Sequence, residues 1–251
     1  MTVTRIGGLR NSVGPVLVFF SLTWAAAGAP FTIDSQSNLF FSGMGTPGSE
    51  IGFGQGVYPA PIPATTVSGF HTYFELLSWS GSWSYMPDYL PAQNLDIEGR
   101  WMPAGLERGT DITGLNQIAG IVHENRVMFL AGVFLGPDLP EAMPDRLVFN
   151  DFTDEFYVLA PQLGQVFFIG DGRRDDGFIQ RFLVPAGAMR LYLGIADGVN
   201  FHGLAGNYSD NSGAMNIEYD FFTELPEPST LWLAGAGLAM AALLRRCARR
   251  S

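Results

Sequence analysis

The chain is predicted to be all-β, an antiparallel sandwich, and three observations carry this. Apolar residues alternate with polar ones at a period of two in several segments, whereas no long stretch between Gly28 and Leu225 repeats at the helical period. Gly and Pro are abundant, with 31 and 16 copies among 251 residues, as a turn-rich β protein requires. Charged residues make up only 15 %, below the usual quarter.

The alternation is clearest in the last strand, where Met215, Ile217, Tyr219 and Phe221 interleave with Asn216, Glu218 and Asp220. In Arg190–Ile195, residues Leu191, Leu193 and Ile195 share a face. Phe70–Tyr85, if continuously extended, puts Tyr73, Leu77, Trp79, Trp83 and Tyr85 on one side. Ala119–His123 and Val127–Leu135 flank Glu124-Asn125-Arg126 and predict a hairpin. Val166–Ile169 and Phe178–Val184 flank a charged turn, Asp171–Gly177. The stretch from Gly28 to about Ser68 predicts one or two edge strands and long loops, and Trp101–Gly114 and Gly136–Asp151 read as loops. Residues 28–222 are taken as one ectodomain.

Two terminal segments read as addresses. Arg5 and Arg10 precede an apolar run from Val13 to Ala29 that closes on small residues, the pattern of a secretory signal peptide over residues 1–27, removed by signal peptidase after Ala27. At the other end Pro226-Glu227-Pro228 precedes an apolar run, Leu231–Leu244, and then Arg245, Arg246, Arg249 and Arg250. The prolines stop any strand and hold the chain extended. A transmembrane helix over residues 230–244 is expected; its 14-residue apolar run rises about 21 Å, short of a hydrocarbon core of about 30 Å. The arginines stay cytoplasmic, which places the body outside the inner membrane.

All 14 basic residues are Arg. Between Gly28 and Leu225, 8 Arg stand against 23 Asp and Glu, a formal charge of −15. Such a surface excludes a nucleic-acid partner, which needs a basic face. The single cysteine, Cys247, lies in the tail, so the body has no disulfide.

The tail over residues 225–251 resembles the PEP-CTERM sorting signal, with Pro226, Glu227 and Pro228, the short apolar stretch, and the basic end at Arg245 and Arg246 in order. The resemblance implies processing by an exosortase in a membrane and a final place on the cell surface or in an exopolysaccharide matrix.

Chemistry in the body is sparse. His71, His123 and His202 have no zinc-pair spacing, and neither a nucleophile elbow nor a body cysteine exists. Glu75, Glu98, Asp111 and Glu124 are available as glycosidase carboxylates, as in any acidic domain, and no catalysis is expected. Trp79, Trp83 and Trp101 are candidates for stacking on sugar rings, against ordinary packing. Asp171–Gly177 has the look of a calcium loop but lacks the spacing and carries two Arg.

The most informative stretch runs from Val184 to Tyr219. A strand enters an oxygen-rich loop with Asp197-Gly198 and then Gly206-Asn207-Tyr208-Ser209-Asp210-Asn211-Ser212-Gly213, whose oxygens suit a hard cation such as calcium. This loop, with Trp83-Ser84-Tyr85-Met86-Pro87, resembles the calcium-dependent galactose-binding lectins of bacteria over roughly residues 70–222, which implies a sandwich of jelly-roll-like type. The resemblance implies calcium held by the Asp197, Asp210 and Asn211 side chains and by the Asn207 and Tyr85 carbonyls, and a sugar bridged through Asp197, Asn207, Asp210 and Asn211. Asp197 lies ten residues before Asn207, where the family's spacing is four; without a gap Gly203 takes that place and the ligand is lost, and Asp197 is preferred because it follows the strand. The family's further sugar-contacting His and Gln have no counterpart, so galactose specificity does not carry over. The expectation is an exported protein binding carbohydrate with calcium; the alternatives are a structural matrix protein without a ligand site, and a polysaccharide hydrolase.

Overall fold

A computed structural model describes residues 29–44, 56–64, 70–85, 94–102 and 109–224. The expected signal peptide, residues 1–27, and the sorting tail, with Pro226, Glu227, Pro228, Arg245, Arg246 and the expected helix 230–244, lie outside the described residues. Among those described, no helix is long and apolar enough to cross a membrane.

The strands are β1 (Ala29–Asp34), β2 (Pro61–Pro63), β3 (His71–Tyr85), β4 (Arg100–Trp101), β5 (Thr110–Thr113), β6 (Ile121–His123), β7 (Arg126–Val127) and β8 (Leu130–Leu135). They continue as β9 (Leu147–Phe149), β10 (Val158–Leu159), β11 (Val166–Phe168), β12 (Arg181–Leu183), β13 (Arg190–Ile195), β14 (His202–Leu204) and β15 (Asn211–Glu224). One sheet has the order β1-β15-β3-β12-β10, a second β11-β8-β13-β2, a third β14-β5-β6-β9, and β4 pairs with β7. The segment before residue 68 supplies β1 and β2, each at the edge of its sheet, as the sequence predicts.

Aromatic rings join the first two sheets. Phe74 of β3 meets Phe182 of β12 at 5.9 Å between ring centroids, Phe182 meets Phe167 of β11 at 5.2 Å, and Phe167 stacks on Phe134 of β8 at 5.3 Å. All four rings are fully buried, and full burial of such a side chain contributes about 1.5–3 kcal/mol. The third sheet adds Ile112, Ile121 and Phe149 to the same core. β8 is buried at every position, as expected of a strand covered on both faces.

Four sequence expectations are corrected. Three strand pairs, β10–β12, β5–β14 and β6–β9, are parallel, so the sandwich-like architecture is not purely antiparallel. Ile121–His123 and Leu130–Leu135 form no hairpin: β6 pairs with β5 and β9, β8 with β11 and β13. Between them Arg126–Val127 pairs with Arg100–Trp101, and Met128 takes a left-handed φ of 59° that turns the chain into another sheet. The two expected loops contain β5 and β9, strands too short to show a period. Finally, β3 does not keep one face. Its ladder with β15 shifts between Glu218 and Tyr219, leaving Leu77 without an opposite residue. This bulge reverses the alternation, so Phe74 and Leu76 are buried before it and Trp83 after it, while Trp79 stays 38 % exposed.

A polar cluster sits inside the core. His123 is fully buried; its Nδ1 accepts from the Asn125 N–H at 3.4 Å, and its Nε2 lies 3.3 Å from Asp154 Oδ2. Arg126 links Asp154 to Glu98, with Nη1 2.6 Å from Glu98 Oε2. Phe129, Phe149 and Phe168 surround the imidazole, which makes His123 a core group held by its neighbours.

Candidate functional site: a loop pocket at the start of the last strand

The site begins where β13 leaves the core. After Ile195 the chain passes Asp197 and Gly198, makes a 3-10 turn at Val199–Phe201, forms β14, and returns through a second 3-10 turn, Tyr208–Asp210, into β15. Tyr208 ties the two limbs together. Its ring is fully buried, and its hydroxyl donates to the Ile195 carbonyl at 2.9 Å and accepts from the Asp197 N–H at 3.1 Å. The Asp197 carbonyl accepts from Gly206 N–H at 3.0 Å.

Asp197 is only 2 % exposed. Its Oδ1 accepts from Gly198 N–H at 2.7 Å and its Oδ2 from Asn211 Nδ2 at 2.8 Å. Asn211 Nδ2 also donates to the Ser35 carbonyl at 3.3 Å, and Gln36 Nε2 donates to the Asn211 carbonyl at 3.0 Å, which ties the site to the end of β1. No cationic side chain is paired with Asp197 among the described residues. Burial pushes its carboxyl up to about 7, aided by the nearby Asp210 charge and opposed by the Asn211 and Gly198 donors. Burial also raises Asp210. Tyr208 is pushed far above the usual tyrosine range, first by burial and then by the Asp197 charge.

A pocket of about 190 Å³ opens beside Asp197, lined also by Tyr85, Gly198, Asn200, Phe201, Asn207 and Asp210. Phe201 meets Tyr85 edge-on, with ring centroids 5.1 Å apart, and Arg100 Nη1 donates to the Tyr85 hydroxyl at 2.7 Å. Asn200, Phe201 and Asn207 all have left-handed φ, of 53°, 63° and 67°. For the bulky Phe201 this conformation is strained, and strain of this kind collects at ligand sites.

The fold thus brings Tyr85, Asp197, Asn207 and Asp210 to one pocket. Asn211 lies behind Asp197 and does not line it, and its Oδ1 is buried with no hydrogen-bond partner among the described residues. Tyr85 stands directly opposite Asn211 in the β3–β15 ladder. The Asn207 carbonyl accepts from Asp210 N–H at 3.3 Å. Sequence reasoning assigned no role to Tyr208, Phe201, Asn200 or Arg100; only Tyr208 carried a signal, inside the quoted loop.

Whether these residues suit a cation can be judged from their donors. A buried carboxylate without a cationic partner and a buried amide oxygen without a donor are both hard oxygen groups of the kind calcium takes. Among the described residues no three His, Cys, Asp or Glu side chains gather as a metal group, so a cation here would draw on amide and carbonyl oxygens beside Asp197 and Asp210.

Other sequence candidates fall elsewhere. Glu75 pairs with Arg181 at 3.0 Å, Glu98 with Arg126, and Asp111 with Arg146. Asp111 and Arg146 line an open groove of about 470 Å³ with Thr113, His202 and Gly203. Trp83 is 1 % exposed and packs in the core, whereas Trp101 is 53 % exposed and donates to Asp151 Oδ2 at 3.1 Å. In the Asp171–Gly177 turn, Asp171 accepts from Arg173 N–H at 2.8 Å and Asp176 pairs with Arg174 at 3.0 Å. Two of its carboxylates are thereby engaged within the turn.

Comparison with known proteins places the tail. Residues 224–250 match the family model of the PEP-CTERM protein-sorting motif. The chain is therefore of the exported, surface-sorted class that an exosortase processes. No match was found among curated proteins or solved structures.

Proposed function

We propose that this exosortase-sorted surface protein binds carbohydrate through a calcium-assisted site at the pocket of Tyr85, Asp197, Asn207 and Asp210. Before processing, the apolar run Leu231–Leu244 holds it in the membrane, with Arg245 and Arg246 on the cytoplasmic side. One observation carries the reading: four of the five residues singled out in sequence, separated by more than a hundred positions, line one pocket around a buried carboxylate without a cationic partner. The strained backbone of Asn200, Phe201 and Asn207 and the unpartnered Asn211 Oδ1 add support.

Tyr85 and Asn207 would hold calcium through their carbonyls, and Asp197, Asp210 and Asn211 through side-chain oxygens. Bound calcium supplies open coordination positions for paired sugar hydroxyls. The Tyr85 and Phe201 rings stand at the pocket wall, where the apolar face of a sugar can pack. The chemistry suits a polymer of the cell's own exopolysaccharide.

The competing reading is a structural surface module without a ligand. It is favoured by the fact that both Asp197 oxygens already accept hydrogen bonds from the protein. A calcium titration of the full chain purified in detergent, followed by a glycan-binding screen with and without EDTA, separates the two. The calcium-site reading expects saturable calcium uptake, glycan capture lost in EDTA, and loss of both in a D210A/N211A variant that keeps its β spectrum. No uptake by the parent protein would leave the structural module.

A further inference from the structure

The pocket and the sorting tail lie on one strand. β15 starts at Asn211, directly after the loop that carries Asn207 and Asp210, and ends at Glu224, one residue before the tail begins. Its ladder with β3 runs from Asn211 opposite Tyr85 to Glu224 opposite His71. The 14 residues of β15 span roughly 43 Å at about 3.3 Å per step.

The N-terminal strand gives the same polarity independently. β1 runs antiparallel to β15, with Ala29 opposite Tyr219 and Asp34 opposite Ala214. Its first residue, next to the signal-peptide cleavage region, therefore lies towards the tail end of β15. The residues that follow it, Ser35 and Gln36, bond to Asn211 at the start of β15, behind the pocket. Both segments addressed to the membrane leave the sheet at one end, and the pocket occupies the other.

We infer that β15 is a strut that presents the pocket away from the membrane, with the end of the sheet at His71 and Glu224 facing the bilayer. The six residues 225–230 before the apolar run reach about 20 Å at full extension, less than half the length of the strut. The central position of β15, paired with β1 on one side and β3 on the other, keeps it from bending independently of the sheet. The consequence for ligand choice rests on the proposed binding role of the pocket. Its ligand comes from polymer in the outer layer and not from lipid headgroups of the anchoring membrane. The orientation itself does not depend on any ligand.

The test uses the full chain with C247S in liposomes carrying a headgroup-linked energy acceptor, and single-cysteine donors at three exposed positions, H71C and E218C in the ladder and S209C in the turn just before it. None of the three lines the pocket. The expected transfer efficiency falls in the order His71, Glu218, Ser209 at fixed acceptor density, with the Ser209 donor giving several-fold less transfer than the His71 donor. Equal transfer at His71 and Ser209, or the reverse order, would overturn the inference, and any two labelled positions suffice to rank the slope. Because no sugar or calcium is added, failure here leaves the binding reading standing, and failure of the calcium titration leaves the orientation standing.

Discussion

At the residue scale, the site depends on one buried hydroxyl and one buried carboxyl. The Tyr208 hydroxyl satisfies a carbonyl on one limb and an N–H on the other. Tyr208→Phe leaves both without their partner inside the core, which costs about 1–3 kcal/mol per unsatisfied group. Denaturant unfolding should show a stability loss of that order, with the m-value unchanged. Asp197 predicts a pH effect whose sign is unusual for an acid. Its folded-state pKa of about 7 lies above the ordinary 3.8, so the folded protein holds the proton more tightly than the unfolded chain. This contribution is fully present below about pH 4 and is lost as pH rises through 7, amounting to up to about 4 kcal/mol. Unfolding free energies measured from pH 4 to 8 in EDTA should decline in the parent and be flatter in Asp197→Asn. Calcium should restore stability at pH 8 to the parent and not to the variant, because a bound cation replaces the proton as the partner of the carboxylate.

At the scale of the element, β3 and β15 show how a long ribbon changes face. A single unopposed residue, Leu77, lets β3 bury even-numbered residues at one end and odd-numbered ones at the other. Nothing in the alternation of Phe70–Tyr85 marks this, because a bulge is decided by the partner strand. Near the pocket the same ladder needs glycine. Gly213 has φ of 101°, and a Cβ there would lie 2.3 Å from the Ser82 carbonyl oxygen. Gly213→Ala should therefore lower the melting temperature by several degrees, consistent with backbone strain of about 1–3 kcal/mol. A control substitution at the open Gly206, where a Cβ meets nothing within 4 Å, should leave it nearly unchanged.

For the whole molecule, the sorting tail governs where the body resides. Replacing Pro226, Glu227 and Pro228 by Ala should stop tail processing, so that cell fractionation and intact-mass analysis find the full tail in the membrane fraction. Truncation after Glu224 should instead release the folded body from the membrane.

Much of this was legible in the chain itself. The all-β class follows from period-two alternation, Pro and Gly density and the lack of helical repeats, and the sorting tail follows from a contiguous motif whose parts need no fold to be recognised. Four of the residues that line the pocket were legible, as oxygen-rich types in one loop together with a Tyr more than a hundred positions away, whereas Asn200 and Phe201 were not. Sheet membership was not: Ile121–His123 and Leu130–Leu135 look like partners because they are neighbours in sequence, yet they pair elsewhere. Strands as short as β5 and β9 carry too few residues to show a period. The burial of Asp197, the retreat of Asn211 behind it and the bringing of Tyr85 into one pocket with the loop were decided by tertiary structure alone. Burial and pairing arise from contacts between distant segments, whereas hydrophobic periodicity and linear motifs reside in the local order of the residues.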